Sequence, residues 1–193
     1  MSTPCYFVRH GQTGWNAERR LQGQADTDLN DLGRSQAREN GRRLAGLLDD
    51  PRDFDFVASP LKRTRQTMEL IRAGMGLPAA GYRLESRLME VHFGDWQGFT
   101  YAELETREPG STTARLADKW GFLPPGGESY QKLLERVKPW FDSIGRPTVC
   151  VTHGGVMRVL FRLVQDVAPE EACEMEIVQD RVLKYDGSRL EWL

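Results

Sequence analysis

Short apolar runs that alternate with longer amphipathic stretches are the feature that most constrains the fold of this chain. Apolar runs cover positions 5–8, 54–58 and 147–152, and each is as long and as apolar as a buried strand. Between and after these runs, apolar or small residues recur every three or four positions, which is the period of one buried helix face. These helical sets are Ala37, Gly41, Leu44 and Leu48; Leu61, Thr64, Met68, Ile71 and Met75; Leu133, Val137, Trp140 and Ile144; and Val156, Val159, Leu160 and Leu163. The alternation predicts a three-layer α/β/α sandwich with a mostly parallel central sheet.

Polar residues and turn formers predict where several elements begin and end. Asn30 and Ser129 are good helix N-caps, and Pro60 suits the first turn of the helix that follows the second strand. The end of the chain, 176–192, is predicted to hold strands joined by an Asp-Gly turn. The stretch with the least regular pattern is about 106–127, which we interpret as an insertion or as a lid over a binding site.

Length and composition exclude several classes of protein. At 193 residues the chain suits a single domain over 1–193. Lys and Arg total 26 and Asp and Glu total 28, so a net charge of −2 offers no basic surface for nucleic acid or a membrane. Cys5, Cys150 and Cys173 are odd in number and far apart, which favours free thiols in a reducing compartment. Because neither a signal peptide nor an apolar span of roughly 20 residues is visible, we expect a cytoplasmic protein.

Side chains suited to phosphate follow three of the predicted strands. Arg9 and His10 come directly after the first strand, Arg63 follows the second, and His153 follows the late one. The carboxyl ends of parallel strands meet at one sheet edge, so we expect these groups to form one site. Imidazole is suited to attack phosphorus, and a guanidinium fork binds two phosphate oxygens. Gly154 opens a helix whose free amides favour an anion. The pattern predicts a cationic pocket for a phosphate monoester.

Six segments, in this order along the chain, resemble those of the histidine phosphatase superfamily, also called the phosphoglycerate mutase-like family. The segments are RHGQTGWN at 9–16, LQGQADTDLNDLG at 21–33, SPLKRTRQT at 59–67, LMEVHFGDWQG at 88–98, GGES at 126–129 and THGG at 152–155. Each segment alone is a weak signal, whereas six in order are hard to obtain by chance. The resemblance implies a phosphoglycerate mutase-like fold and a phosphatase-type member of the family.

The resemblance also implies a division of labour among the site residues. His10 would attack phosphorus and form a phosphohistidine, while Arg9, Arg63 and His153 would hold the phosphoryl oxygens. Glu90 would protonate the leaving oxygen and then activate the water that cleaves the phosphoenzyme. No metal and no cofactor are implied.

Further positions of the motifs carry weaker implications. Asn16 matches a phosphate-contacting position, and Gln22 and Gly23 match a turn that lines the substrate. Thr13 and Gly154 are further candidates for phosphate contact, although Thr13 suits a plain turn equally well. His92, two residues from Glu90, matches no required motif position, so a local structural role is expected. These positions complete the predicted set of catalytic and phosphate-binding residues.

Other functions stay open at this point. A phosphoglycerate mutase would use the same pocket, but the short stretch between Glu90 and His153 favours a phosphatase. A zinc site of the His₂Glu type could be formed by His10, His153 and Glu90, but the positive charge of the adjacent Arg9 disfavours a metal cation there. A non-enzymatic binding module would be expected to lack the nucleophile or an arginine, and neither is missing. The expected partner is a small phosphate ester of undefined identity, and the C-terminal strands could support a homodimer.

Overall fold

A six-stranded sheet forms the centre of the molecule in the computed structural model, which describes residues 3–193. The strands are β1 (Cys5–Arg9), β2 (Asp55–Ala58), β3 (Arg83–Leu84), β4 (Thr148–Thr152), β5 (Val182–Tyr185) and β6 (Leu190–Trp192). They lie in the order β3-β2-β4-β1-β5-β6. Neighbouring strands are parallel from β3 to β1, whereas the pairs β1–β5 and β5–β6 are antiparallel. The predicted mostly parallel sheet is therefore confirmed, with an antiparallel extension at one edge.

Helices cover both faces of this sheet. They are α1 (Gly14–Ala17), α2 (Asp31–Leu47), α3 (Lys62–Gly74), α4 (Tyr101–Arg107), α5 (Ser111–Ala117), α6 (Tyr130–Asp142), α7 (Gly154–Gln165) and α8 (Pro169–Glu174). Successive strand residues point to opposite faces, so Phe7 joins one apolar core with Leu133 while Val8 joins the other with Leu44. This two-sided burial produces the predicted α/β/α layering.

The parallel pairing of β1 with β4 brings two distant parts of the chain together. Arg9 is in register with Thr152, and the His10 amide donates to the Thr152 carbonyl at 2.9 Å. The chain therefore leaves both strands at the same edge, with His10 and His153 as the next residues. On the other side of β4, the Ser59 amide donates to the Val151 carbonyl, which places the end of β2 beside them.

Several predicted boundaries are correct and others are wrong. Asn30 and Ser129 cap α2 and α6 through their side chains, as expected. Pro60 does not lie in the first turn of α3, because Leu61 is still extended and the helix begins at Lys62. Ile144 lies beyond the end of α6, in a turn closed by its amide and the Phe141 carbonyl.

Two longer segments also differ from the prediction. Strand pairing at the C-terminus begins only at Val182, since Ile177 and Gln179 bond to Arg9 and His10 instead. The segment 106–127 is less irregular than expected, because it contains α5 and the end of α4. Its Trp120 ring stacks on Tyr130 at 5.8 Å between centroids. A role of this segment as a lid stays a prediction.

Two further expectations from the sequence concern the state of the cysteines and the presence of a membrane span. Cys5, Cys150 and Cys173 are all buried free thiols. Across residues 3–193, no helix combines the length and the apolarity that crossing a membrane requires.

Candidate active site

A small polar cavity of about 130 Å³ opens at the carboxyl edge of the sheet. It brings together most of the residues predicted from the motifs, although they come from widely separated segments. Its lining includes Arg9, His10, Asn16, Gln22, Gly23, Arg63 and Glu90. Six further lining residues were not among the predicted site residues, namely Arg20, Leu21, Val91, Phe93, Tyr130 and Arg158. The cavity is strongly cationic, since four arginines face one carboxylate.

His10 is held in one tautomer by the backbone. Its Nδ1 lies 2.8 Å from the Gly11 carbonyl oxygen, which can only accept, so Nδ1 carries the proton and Nε2 keeps its lone pair. Burial, reinforced by the positive charges of Arg63 and Arg9, lowers the pKa of His10 well below its usual value. A neutral imidazole with an unprotonated Nε2 is the form that can act as a nucleophile.

Arg63 contacts this nitrogen directly. Its Nε lies 3.3 Å from His10 Nε2, while Nη1 and Nη2 donate to the carbonyls of Ala25 and Gly23 at 2.8 and 2.7 Å. Although burial lowers its pKa to about 10, Arg63 is still a cation near neutral pH. The left-handed Gly23 (φ +52°) belongs to the turn that these bonds hold. The turn thus fixes a buried positive charge beside the nucleophile.

His153 and Arg9 each carry a buried polar atom without a hydrogen-bond partner in the described part of the chain. The His153 ring lies 5.2 Å from that of His10 between centroids, and its Nε2 is 2.8 Å from Ser59 Oγ. Arg9 donates from Nη1 to the Ile177 carbonyl at 2.5 Å. Within residues 3–193, His153 Nδ1 and Arg9 Nε have no hydrogen-bond partner although both atoms are buried. Buried polar atoms of this kind call for an explanation, and a bound anion would supply one.

Glu90 is anchored at the first turn of α7. Its Oε1 accepts from the Val91 amide at 2.9 Å and from the Gly155 amide at 3.0 Å. A Cβ at Gly155 would lie 2.2 Å from Glu90 Oε1, so any larger residue would displace the carboxylate from this position. The second glycine of the THGG segment, rather than Gly154, therefore has the steric role in the site.

Thr13, His153 and Gly154 are not among the residues that line the cavity, and a phosphate contact for them stays a prediction. Thr13 is fully buried and caps α1, where its Oγ1 accepts from the Asn16 amide and lies 3.0 Å from Gln22 Oε1. It positions two residues that do line the cavity. Gly154 is buried at the start of α7.

The family assignment follows from comparison with known proteins. The sequence matches the profile of the "Histidine phosphatase superfamily (branch 1)" over residues 5–192. The chain belongs to this superfamily. The resemblance inferred from the six segments is confirmed.

Relatives within the superfamily include both phosphatases and mutases. Glucosyl-3-phosphoglycerate phosphatase of Mycolicibacterium vanbaalenii is 38% identical over 168 residues, 80% of this chain and 70% of that one. The 2,3-bisphosphoglycerate-dependent phosphoglycerate mutase of Methylocella silvestris is 32% identical over 181 residues, 89% of this chain and 85% of that one. A mycobacterial glucosyl-3-phosphoglycerate phosphatase, solved in complex with VO3, has a TM-score of 0.79 at 29% identity over 99% of this chain and 97% of that one. This chain is thus related to enzymes of both kinds.

Arg158 and Tyr130 are members of the site that sequence reasoning missed. Arg158 lies one helical turn after Gly154, and its Nη1 is 3.3 Å from the Tyr130 hydroxyl while its Nε donates to the Met175 carbonyl. The i, i+4 spacing from Gly154 was the signal that could have indicated it. Arg20 also lines the cavity, and it pairs with Glu18 and Glu103.

Other expectations concern a metal and His92. Among residues 3–193, no three His, Cys, Asp or Glu side chains are close enough to hold a metal ion, so the nominal His₂Glu zinc set is not assembled. His92 Nδ1 accepts from the Gly94 amide at 2.9 Å, outside the cavity. This contact fits the local structural role expected for His92.

The buried histidines predict a loss of stability in mild acid. Burial is the main reason that the pKa values of His10 and His153 are both well below the usual value when folded. Once the pH falls below about 6.5, the unfolded chain binds protons that the folded chain does not, at a cost of about 1.4 kcal/mol per pH unit for each histidine. Stability present above that pH is lost progressively toward the depressed folded-state pKa values. Urea unfolding at a series of pH values measures this slope.

The matched variant for this experiment is His10→Asn, which removes one of the two titrating groups. We expect it to remove about half of the pH dependence that the histidines contribute. An unchanged slope in His10→Asn would show that His10 is not buried in its neutral form.

Proposed function

We propose that this protein is a metal-independent phosphomonoester hydrolase that acts on a small phosphorylated metabolite through a phosphohistidine on His10. The observation that carries the proposal is the pair of buried polar atoms, Arg9 Nε and His153 Nδ1, that have no hydrogen-bond partner within residues 3–193 and belong to residues beside His10. A phosphoryl group supplies acceptor oxygens to both and negative charge to the cationic cavity. The superfamily's phosphatase and mutase relatives support the same chemistry.

In the first half-reaction, Nε2 of His10 attacks phosphorus in line with the ester oxygen. The N–P bond forms as the O–P bond breaks, and Glu90 donates a proton to the departing alkoxide. Arg9, Arg63 and His153 stabilise the charge on the transferring phosphoryl oxygens, which provides most of the catalysis in reactions of this kind.

In the second half-reaction, the Glu90 carboxylate accepts a proton from water as the water oxygen attacks phosphorus. The N–P bond breaks, inorganic phosphate leaves, and His10 returns to its neutral tautomer. The Gly11 carbonyl holds Nδ1 throughout, so the same nitrogen is available for each turnover. The proton that Glu90 gave to the alcohol is thereby replaced from water.

A phosphoglycerate mutase is the second candidate, since the mutase relative matches 89% of this chain. It would return the phosphoryl group to a phosphoglycerate instead of to water. The short stretch between Glu90 and His153 favours hydrolysis, because it leaves little chain to cover the site. A cytoplasmic location and a homodimer stay predictions.

Phosphate release from a panel of monoesters, measured with excess chelator, tests the proposal. The panel should hold phosphoserine, 3-phosphoglycerate, a sugar phosphate and an aryl phosphate, and a mutase assay primed with 2,3-bisphosphoglycerate should run beside it. We expect saturable, chelator-resistant hydrolysis of some esters. Primed mutase turnover well above hydrolysis would contradict the phosphatase proposal, and activity lost to the chelator would contradict its metal independence.

A further inference from the structure

The loop between α8 and β5 bonds to residues of the site through three alternate positions, Met175, Ile177 and Gln179. The Met175 carbonyl accepts from Arg158 Nε, and the Ile177 carbonyl accepts from Arg9 Nη1. At the third position, Gln179 Nε2 donates to the His10 carbonyl at 3.0 Å and to Asn16 Oδ1 at 3.2 Å. This loop therefore contacts two cations, the nucleophile's backbone and a cavity-lining amide.

The carboxamide of Asn16 has a defined orientation. Two donors converge on its Oδ1, the Thr13 amide and Gln179 Nε2, each at 3.2 Å, while the Thr13 hydroxyl has its shorter contact with Gln22 Oε1 at 3.0 Å. Because a backbone amide can only donate, the contact with Thr13 identifies this atom as the oxygen. Within residues 3–193, Nδ2 of Asn16 donates to no protein atom, although Asn16 lines the cavity. The donor side of the amide is thus available to a ligand.

We propose that Gln179 is a positioning residue that holds Asn16 with its Nδ2 available to the phosphoryl group. The inference rests on the proposed function, since it assigns Asn16 a phosphate contact. Without Gln179, Thr13 alone would hold the Asn16 oxygen, and the carboxamide would gain freedom that must be lost when the anion binds. Gln179 also bonds to the His10 carbonyl, so it ties the nucleophile's loop to the amide that receives the phosphate.

Gln179 is itself held through its backbone carbonyl. Asn40, fully buried in α2, donates from Nδ2 to the Gln179 carbonyl at 3.0 Å. A buried side chain that holds the backbone limits the positions open to the glutamine side chain. Asn40 in α2 therefore restrains Gln179, and Gln179 in turn restrains the carboxamide of Asn16.

A double-mutant cycle between Gln179 and Asn16 tests the inference. Gln179→Met keeps the length and removes the donor, and Gln179→Glu replaces the donor with a carboxylate that repels Asn16 Oδ1. In the wild-type background we expect Gln179→Met to weaken inorganic phosphate and vanadate binding by about 5- to 20-fold, and Gln179→Glu to weaken it more. In the Asn16→Ala background Gln179→Met should have a much smaller further effect, because the group that Gln179 orients is gone and only its bond to the His10 carbonyl is lost.

The readouts separate positioning from general damage. Kd for phosphate and KM should rise in the Gln179 variants while the melting temperature changes little. Asp180→Ala is the matched control, because its side chain is exposed and only its carbonyl is bonded, to Arg43. If Gln179→Met lowers the melting temperature strongly, Gln179→Glu, which keeps the shape of the side chain, provides the comparison.

The possible outcomes distinguish the two proposals. Losses that are the same with and without Asn16, or no loss at all, would overturn the role of Gln179 and leave the phosphatase proposal standing. A wild-type protein that neither binds phosphate nor hydrolyses esters would overturn both. Strong coupling between the two positions supports the inference.

Discussion

His10→Ala is expected to reduce phosphate release by about 10⁴-fold or more, because it removes the nucleophile and closes the covalent pathway. Nε2 of His10 is the unprotonated nitrogen beside Arg63, and no other histidine presents the same geometry. The variant should still bind phosphate, since the cationic residues remain. Steady-state hydrolysis measures the loss, and rapid acid-free quenching followed by intact-mass spectrometry detects the phosphoenzyme in the wild type alone.

His92→Ala is the matched control for this experiment. It removes a second imidazole that bonds only to its own loop through the Gly94 amide. We expect hydrolysis within a few-fold of the wild type. Retention of most of the activity in His10→Ala, or of a phosphorylated protein, would exclude His10 as the nucleophile.

Glu90→Gln is expected to slow the hydrolysis of an alkyl phosphate by about 10²- to 10⁴-fold, because the carboxamide cannot deliver a proton to the leaving oxygen. Its Oε1 can still accept from the Gly155 amide, so the side chain stays in place. An aryl phosphate with an acidic phenol needs little protonation, and its loss in the phosphoryl-transfer step should be much smaller. Single-turnover formation of the phosphoenzyme with the two esters measures the difference.

Glu85→Gln provides the comparison, since Glu85 pairs with Arg87 outside the cavity. It should leave both rates close to those of the wild type. A Glu90→Gln loss of equal size for the alkyl and the aryl ester would argue against general acid catalysis by Glu90. In that case the carboxylate would have only an electrostatic or structural role.

The layout of the fold was predictable because local patterns and burial agree with one another. Apolar runs such as 147–152 are too short for helices and too apolar for loops, so they become buried strands. Asn30 and Ser129 stop the backbone at helix starts through their own side chains, which is a local interaction. Boundaries set by distant contacts were predicted wrongly, as at Pro60 and at the beginning of β5.

The sequence alone determined the chemical types of the site and the strand ends that carry them. Arg9 ends β1, and His10, Arg63 and His153 follow β1, β2 and β4, whose parallel pairing brings them to one sheet edge. That conclusion needs only the order of elements and their hydrophobic pattern.

Only the tertiary structure decided how those groups are held. The tautomer of His10 depends on the Gly11 carbonyl, the orientation of Asn16 on Gln179, and the place of Glu90 on the Gly155 amide. Gln179 is 163 residues from Asn16 in the chain, and no periodicity or cap links them. Hydrogen bonds are short and directional, so their partners are fixed by the packing of whole elements rather than by local sequence.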